Sequence, residues 1–286
     1  MVTLPSATLL AQSALSGVFI GSLYGLLGLG LGLSWGLLHI INLAHFGFAF
    51  LAAYLCYQLA TVGGMDPLAT LGLIVPLFFA LGVAVQWLLA RFSVSPLNSL
   101  LATFGLTAII EAGIQGYWTA DFRKLESTYA GEKFRLGAMY VPVPELLTLV
   151  FALALTFAVF AAMRYTRLGR ALRALAEDAP IASAFGIDAK SHALVLSGVC
   201  GALAGIAGVC LALSFTLTPA QIYAWVGVVF AAVMLGGLGS AIGPLVAGVV
   251  IGVSEAVTMA FASPSWAPIV SFTLLILLLL LRPERS

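Results

Sequence analysis

Long apolar runs, separated by short polar stretches, organise the whole sequence. They cover residues 8–33, 42–62, 68–90, 97–117, 145–163, 193–215, 224–240, 243–262 and 267–281. Because a membrane-spanning helix needs about 20 mostly apolar residues, these runs predict eight or nine crossings. The first 62 residues contain no Lys, Arg, Asp or Glu, and they are too long for two plain spans. We therefore expect two helices there, one of them interrupted.

The amino-acid composition supports a membrane protein. Of the 286 residues, 62% are hydrophobic and 8% are charged, whereas soluble domains are about half apolar and about a quarter charged. So few charges cannot cover a water-exposed surface. The sequence therefore predicts an all-α polytopic membrane protein with a single transmembrane domain over residues 1–286. The net charge is +1 and no dense basic run is present, which argues against nucleic acid as a partner.

The distribution of positive charge predicts the orientation. Membrane proteins concentrate Lys and Arg on the cytoplasmic side, and the strongest cluster here comprises Arg164, Arg167, Arg170, Arg173 and Lys190. Placing the loop 164–192 in the cytoplasm puts the loop 118–142 in the periplasm. It also puts the C-terminus, with Arg282 and Arg285, in the cytoplasm, and the N-terminus of a nine-span chain outside.

Both long loops carry local structural signals. In the outer loop, the run Phe134–Val143 is compatible with a short hairpin. The inner loop predicts two short amphipathic helices, because apolar residues recur at helical spacing at Leu168, Leu172 and Leu175. Pro180 should end the first helix near Asp178 or Ala179.

Glycine is frequent inside the predicted spans. Gly201 and Gly205 are four residues apart, a spacing that lets membrane helices approach closely, although local unwinding beside a cavity is the alternative. The glycine-rich segment 236–244 also ends in a proline. We expect it to form a tight turn on the inner side.

Acidic side chains inside apolar spans are costly, so each requires a reason. Glu111 and Glu255 lie deep in predicted spans. Each either lines a pathway or hydrogen-bonds a neighbouring helix. Glu111 is close to the outer end of its span, where water is also within reach.

Neutral polar residues mark a second candidate region. Asn42 and His45 are three residues apart and share a helix face. Polar groups at a helix break inside a membrane are one way to build a substrate site. Thr103 and Thr107 are a milder example in a later span.

Motifs for catalysis or metal binding are absent from the sequence. It contains no GxSxG, HExxH or P-loop motif, so no nucleophile, zinc site or ATP site is expected. Cys56, Cys200 and Cys210 lie in apolar runs without a CxxC pair, and we expect them to be packing residues. The chain is therefore predicted to be non-enzymatic, and any ATPase that drives it must be another chain.

Three regions resemble a known family. IINLAHFGFAFLAAYL (40–55) is similar to the second-span motif of branched-chain amino acid ABC importer permeases. RYTRLGRALRALAEDAPIASAFGID (164–188) resembles their cytoplasmic loop, and 232–256 followed by 270–284 resembles their C-terminal third. The order and spacing match over nearly the whole chain, and the resemblance is to the LivH-type subunit rather than the longer LivM-type partner.

This resemblance implies a permease subunit in a bacterial inner membrane that works by alternating access. Its implied partners are a LivM-type permease, a periplasmic substrate-binding protein and two cytoplasmic ATPase subunits, which carry ATP and Mg while this chain holds no cofactor. The cytoplasmic loop becomes a coupling helix that docks on an ATPase, with candidate residues Arg170, Arg173, Glu177, Asp178, Ala182 and Gly186. The predicted transport pathway comprises Asn42, His45, Phe46, Thr103, Thr107 and Glu255.

The chain departs from the family motif at Phe46, where glycine is usual after the histidine. Phe48 and Phe50 add further rings. Either these rings accommodate an apolar or aromatic cargo, or they face lipid or the partner subunit. Branched-chain or related hydrophobic amino acids are the expected cargo, with urea, short amides or aromatic acids as alternatives. An ion-coupled secondary transporter is the rival mechanism.

Overall fold

The computed structural model of the protein describes residues 6–92, 95–263 and 266–281. These residues form eleven α-helices and one antiparallel hairpin, in which Lys133 pairs with Pro142 and Leu136 with Met139. In chain order the elements are α1 (Ala7–Leu38), α2 (Ala44–Tyr57), α3 (Leu71–Phe92), α4 (Pro96–Trp118), β1 (Lys133–Leu136), β2 (Met139–Pro142), α5 (Val143–Tyr165), α6 (Arg167–Glu177), α7 (Ala179–Ala184), α8 (Ala189–Ser214), α9 (Ile222–Gly236), α10 (Gly243–Phe261) and α11 (Ala267–Leu281).

Eight helices in the described part of the chain are long and apolar enough to cross a membrane. They are α1 to α5 and α8 to α10, where α2 is counted with a π-helical extension over Gln58–Val62 and α9 with the 3-10 turn Pro219–Gln221. The apolar helix α11 follows with 15 described residues. The predicted all-α polytopic membrane fold with eight or nine crossings is confirmed.

The first 62 residues differ from the expectation in one respect. α1 is a single uninterrupted helix of 32 residues, and the break falls after it, at residues 39–43. His39 ends α1 in the left-handed conformation, with φ of 57°, while its N–H donates to the Trp35 carbonyl at 3.1 Å. The long uncharged segment therefore holds the long helix α1, a connection, and α2 with its extension, and the chain breaks between the two helices.

The two ends of the helical bundle are distinct. At one end, the Gln12 side chain of α1 hydrogen-bonds both backbone groups of Tyr140 in β2, at 2.9 Å each. We call this the hairpin end. At the opposite end, which we call the arginine end, the Gly239 N–H donates to the Gly32 carbonyl of α1 at 3.1 Å. The turn 237–242 borders the same cavity there as Arg164 and Arg173, so the expected tight turn and the arginine cluster share one end.

Glycines hold α1 and α10 together. A Cβ added at Gly21 would lie 2.5 Å from the Gly248 carbonyl oxygen, and one added at Gly252 would lie 2.4 Å from that of Gly17. The two backbones are therefore in direct contact, and the pairing of low with high residue numbers makes the helices antiparallel. Such contact maximises van der Waals attraction, which drives helix association where lipid is as apolar as the core.

A second glycine contact joins α3 to α8. A Cβ at Gly201 would lie 2.2 Å from the Phe78 carbonyl oxygen, and one at Gly205 would lie 3.1 Å from Ile74 Cγ2. Both glycines are inside the continuous helix α8. The packing interpretation of this pair is therefore confirmed, and the unwinding alternative is wrong.

Three helices form the centre of the bundle. α1 and α8 bury most of their length, as does α2 to a lesser extent, whereas α3, α4 and α5 leave wide apolar faces exposed. Cys56, Cys200 and Cys210 are all buried free thiols, as expected for packing residues. Because the exposed faces of α4 and α5 are apolar, they suit lipid or another membrane subunit.

Candidate functional site

The connection between α1 and α2 is anchored on α4. The Leu43 N–H donates to Thr103 Oγ1 at 3.1 Å, and that hydroxyl donates to the Ser99 carbonyl at 2.9 Å. The Thr107 hydroxyl donates to the Thr103 carbonyl at 2.9 Å. Thr103 and Thr107 are both buried, so both hydroxyls serve backbone groups and neither is presented to a passing ligand.

His45 ties α2 to α1. It is 2% exposed, and its Nε2 donates to the Leu27 carbonyl at 3.0 Å. The ring packs against Gly30, where an added Cβ would lie 2.4 Å from His45 Cε1. A buried polar group with its hydrogen bond satisfied acts as an interhelical contact. We find no geometry here that uses His45 as a substrate ligand.

Asn42 differs from its neighbours. It lies in the connection just before α2, and its Oδ1 is buried without a hydrogen-bond partner among the described residues. Of the six predicted pathway residues, it is the one with a buried side-chain acceptor left free. An unpaired buried amide oxygen is costly, so this atom is available to a donor that approaches the α1–α2 connection.

Phe46 belongs to the core. It is 1% exposed and stacks on Phe230 of α9, with ring centroids 6.4 Å apart. Phe48 and Phe50 are buried as well. The expectation that these rings face lipid or a partner subunit is wrong, because helices of the same chain cover them.

Glu255 is separate from this group. Its carboxylate accepts hydrogen bonds from the Tyr24 hydroxyl of α1, at 3.0 Å, and from the Ser271 hydroxyl of α11. Glu255 is buried, and it links three helices. Of the two interpretations offered by the sequence, the structure shows the interhelical hydrogen bond.

The structure thus divides the predicted pathway residues. Asn42, His45, Thr103 and Thr107 meet where α1, α2 and α4 come together, and Phe46 follows in the first turn of α2. Glu255 is elsewhere in the bundle. All except Asn42 have side chains enclosed by the chain's own helices.

The inner loop forms the two predicted helices, α6 and α7. The Thr166 hydroxyl accepts the Gly169 N–H at 3.1 Å and begins α6, and Leu172 is buried beneath it. α6 ends at Glu177 with Asp178 as its C-cap, which confirms the end near Asp178 predicted from Pro180. Asp178 then caps α7 by accepting the Ile181 N–H at 2.9 Å. These caps fix the sharp bend between the two helices.

The outer surface of this helical pair carries two apolar side chains that were not among the residues predicted from the sequence. Ile181 is 58% exposed and Phe185, at the end of α7, is 84% exposed. Ala182 between them is buried, and Gly186 closes the turn with φ of 84°. Their spacing of four residues after a capping aspartate was the signal that could have identified them.

The predicted charged residues of the loop point in different directions. Glu177 and Asp178 are exposed beside the apolar pair. The Arg170 guanidinium donates to the Tyr165 carbonyl at 3.3 Å. Arg173 instead borders a cavity of about 460 Å³ between α5, α6 and the turn 237–242. The loop therefore presents a mixed surface, apolar at its tip and charged at its flanks.

The next helix begins on a fixed cap. Asp188 accepts hydrogen bonds from the Ser191 hydroxyl and the Lys190 N–H, and these hold the pKa of its carboxyl below the usual range. This cap sets where α8 enters the bundle. No group of three metal-ligating side chains is present among residues 6–92, 95–263 and 266–281.

Apolar spans and an amphipathic helical pair at one end define a multi-pass membrane protein. The chain belongs to the family described as branched-chain amino acid transport system / permease component, whose model matches residues 13–279. It is 29% identical to the high-affinity branched-chain amino acid transport system permease protein LivH of Escherichia coli K12, over 95% of this chain and 93% of that protein.

Two further relatives extend the comparison. The chain is 25% identical to the permease protein BraD of Pseudomonas aeruginosa, over 95% of this chain and 94% of that protein. It is 28% identical to a probable LivH of Methanocaldococcus jannaschii, over 93% of this chain and 89% of that protein. No solved structure matches the chain.

Proposed function

We propose that this chain is the permease subunit of an ATP-driven importer for branched-chain or related hydrophobic amino acids. Its relatives are named as branched-chain amino acid permeases, which supports the cargo. The observation that carries the proposal is the pair α6–α7, a folded and capped hairpin with an exposed apolar tip at one end of the bundle.

The proposed mechanism is alternating access between two states of the permease. Two cytoplasmic ATPase subunits bind ATP and Mg, and a periplasmic binding protein delivers the cargo to this chain and a second, LivM-type permease. ATP shifts the equilibrium because the closed ATPase pair binds one permease state better than the other. This chain supplies the path and the contact with the ATPases.

The proposed orientation places the arginine end in the cytoplasm of the bacterial inner membrane. Positive charge at that end supports it. α10 runs from the arginine end to the hairpin end, where Ala260 and Gln12 border one cavity. α11 therefore starts at the hairpin end and leads towards the cytoplasm, which supports a cytoplasmic C-terminus. The chain end itself, with Arg282 and Arg285, lies outside the described residues.

The contact proposed for the ATPase is the tip of α7. Ile181 and Phe185 are large apolar side chains in an exposed position, and an aromatic side chain that enters a partner's pocket is typical of an interface hot spot. Glu177 and Asp178 flank the tip and suit a cationic rim. Arg170, Ala182 and Gly186 act by holding the shape of the hairpin, and Arg173 supports it from the cavity side.

Co-purification from native membranes tests this proposal. Tagged wild-type chain should bring down a second permease and two ATPases, identified by mass. Phe185→Ser should reduce ATPase recovery and coupled uptake at least about tenfold, which is the usual effect of losing a hot-spot side chain. Phe134→Ser, an exposed ring in β1 at the opposite end, is the matched control and should leave both unchanged.

Charge reversal at Glu177 or Asp178 should uncouple transport without blocking membrane insertion. Unaltered uptake and ATPase recovery in these variants and in Phe185→Ser would refute the coupling role. Recovery of the chain alone, active in liposomes without ATP, would favour an ion-coupled transporter. A co-purified binding protein that prefers urea, an amide or an aromatic acid would change the cargo but keep the mechanism.

A further inference from the structure

One acidic side chain in a membrane span is neither buried nor part of an ion pair. Glu111 in α4 is partly exposed, unlike Glu255, which is enclosed by three helices. Among the described residues, no Lys, Arg or His forms an ion pair with it. A charge inside a span is costly, and the described residues supply no cation to balance this carboxylate.

The depth of Glu111 excludes a simple contact with lipid. Tyr117, which is 70% exposed, and Trp118 end α4 at the hairpin end, and such aromatic residues mark the membrane interface. Glu111 precedes Tyr117 by six residues, which is about 9 Å along a helix. A carboxylate at that depth faces water or protein, because exposure to hydrocarbon is strongly unfavourable.

Other side chains organise the surface around Glu111. Gln115 Nε2 donates to Glu111 Oε1 at 3.0 Å. Tyr223, in the first turn of α9, lies near the same carboxylate and packs on Phe104 with ring centroids 6.1 Å apart. Phe104, Glu111 and Gln115 follow helical spacing on one flank of α4. We call these four residues the α4–α9 flank.

We propose that the α4–α9 flank lines the translocation path and that Glu111 binds the α-ammonium group of the amino acid in transit. This inference rests on the proposed function. An ammonium group complements a carboxylate that has no cationic partner, and hydrogen bonds between charged groups are the strong ones. The rings of Phe104 and Tyr223 provide an apolar surface beside it for a hydrophobic side chain.

The buried state of the other candidates supports this choice. Hydrogen bonds within the chain already engage the polar groups of four candidates: His45, Thr103, Thr107 and Glu255. Cargo that passes between two permease subunits meets the outer surface of the bundle, where the α4–α9 flank lies. Glu111 is thus a specificity residue that acts through charge.

Cysteine accessibility tests the position of this flank. Glu111→Cys and Ile109→Cys are introduced into a background in which the native cysteines are replaced by alanine: Cys56, Cys200 and Cys210. Ile109 is 69% exposed on another face of α4 and is the matched control. In the assembled transporter, a membrane-impermeant, cationic methanethiosulfonate should label Glu111→Cys and leave Ile109→Cys unlabelled. Leucine with its binding protein should slow the labelling.

Neutralisation tests the charge. Glu111→Gln should reduce leucine uptake about tenfold or more, because one charge-assisted hydrogen bond is lost, while recovery of the assembled complex stays normal. Glu111→Asp should restore part of the uptake. Glu126→Gln, an exposed loop carboxylate on the same side, should transport like wild type.

The outcomes separate this inference from the proposed function. Wild-type leucine uptake with unlabelled Glu111→Cys, or with full activity in Glu111→Gln, would overturn the inference and leave the importer intact. Cross-linking of Glu111→Cys to the second permease in place of labelling would also overturn it, since the flank would then be an interface. Absence of amino acid uptake by the wild type would instead overturn the proposed function.

Discussion

Gly21→Ala tests the contact on which α1 and α10 depend. The added Cβ would lie 2.5 Å from the Gly248 carbonyl oxygen and 2.6 Å from Val249 Cα. Ordinary contact begins at 3.4 Å, so the two backbones must move apart by about 0.9 Å, and a gap of this size forfeits a quarter to a half of each nearby dispersion contact.

The net cost follows from two opposed effects. Overpacking lowers the free energy of unfolding by about 1–3 kcal/mol, and the better helix propensity of alanine raises it by up to about 1 kcal/mol. We expect Gly21→Ala to be destabilised by about 1–2 kcal/mol, measured as a fall of a few degrees in the melting temperature of the purified chain in detergent.

A matched variant isolates the cause. Gly113→Ala in α4 places its Cβ where nothing lies within 4 Å, so only the propensity gain remains and the melting temperature should hold or rise. In the double variant Gly21→Ala/Gly248→Ala, the second change should cost less than it does alone, because the helices have already separated. Equal melting temperatures for Gly21→Ala and Gly113→Ala would refute the reasoning.

Three further predictions follow from single contacts. Tyr24→Phe removes a donor to buried Glu255 and should lower the melting temperature by an amount that corresponds to about 0.6–1.7 kcal/mol; no change would show that the bond is energetically neutral. Phe46→Gly leaves a cavity in the core and should destabilise the fold by about 3–5 kcal/mol, seen as poor recovery of folded protein. Normal stability with an altered cargo range would instead show that Phe46 lines the pathway. The hydroxyl of Tyr129 holds the pKa of Asp66 below its usual range. The pair therefore stabilises the fold at pH values above the usual aspartate pKa, and this stabilisation is lost as the pH falls and the carboxylate takes up a proton. Tyr129→Phe should therefore raise the pKa of Asp66 and weaken the fall of the melting temperature at acid pH. An unchanged dependence of melting temperature on pH would contradict the assignment.

Several elements were accessible from the sequence because they depend on local properties. The range of eight or nine spans follows from the length of the apolar runs, and the β1–β2 hairpin follows from the run Phe134–Val143. The end of α6 follows from the restriction that Pro180 places on the residues before it. The pair α6–α7 is amphipathic in the usual way, since one side faces water. Its helical periodicity therefore predicted the two helices, and Leu172 of the predicted apolar face is buried.

Tertiary structure decided what faces inward within the spans. In water, apolar periodicity separates core from surface, but in a bilayer both the core and the lipid are apolar, so the pattern carries no such information. Glu111 and Glu255 both lie in apolar runs of the sequence, yet Glu111 is partly exposed and Glu255 is buried beside Tyr24. The phenylalanine Phe46 was equally ambiguous, and only its contact with α9 shows it to be core.

The sequence likewise did not predict which helices pack against each other. The spacing of Gly17, Gly21 and Gly25 identifies a close-packing face on α1, but it does not say which helix occupies that face. The partner, α10, begins more than 200 residues later, and any helix with a matching small-residue stripe satisfies the same local rule. The sequence alone thus predicted eight or nine crossings and the bend between α6 and α7, whereas the three-dimensional arrangement decided which polar groups hold the bundle together and which remain available to a ligand.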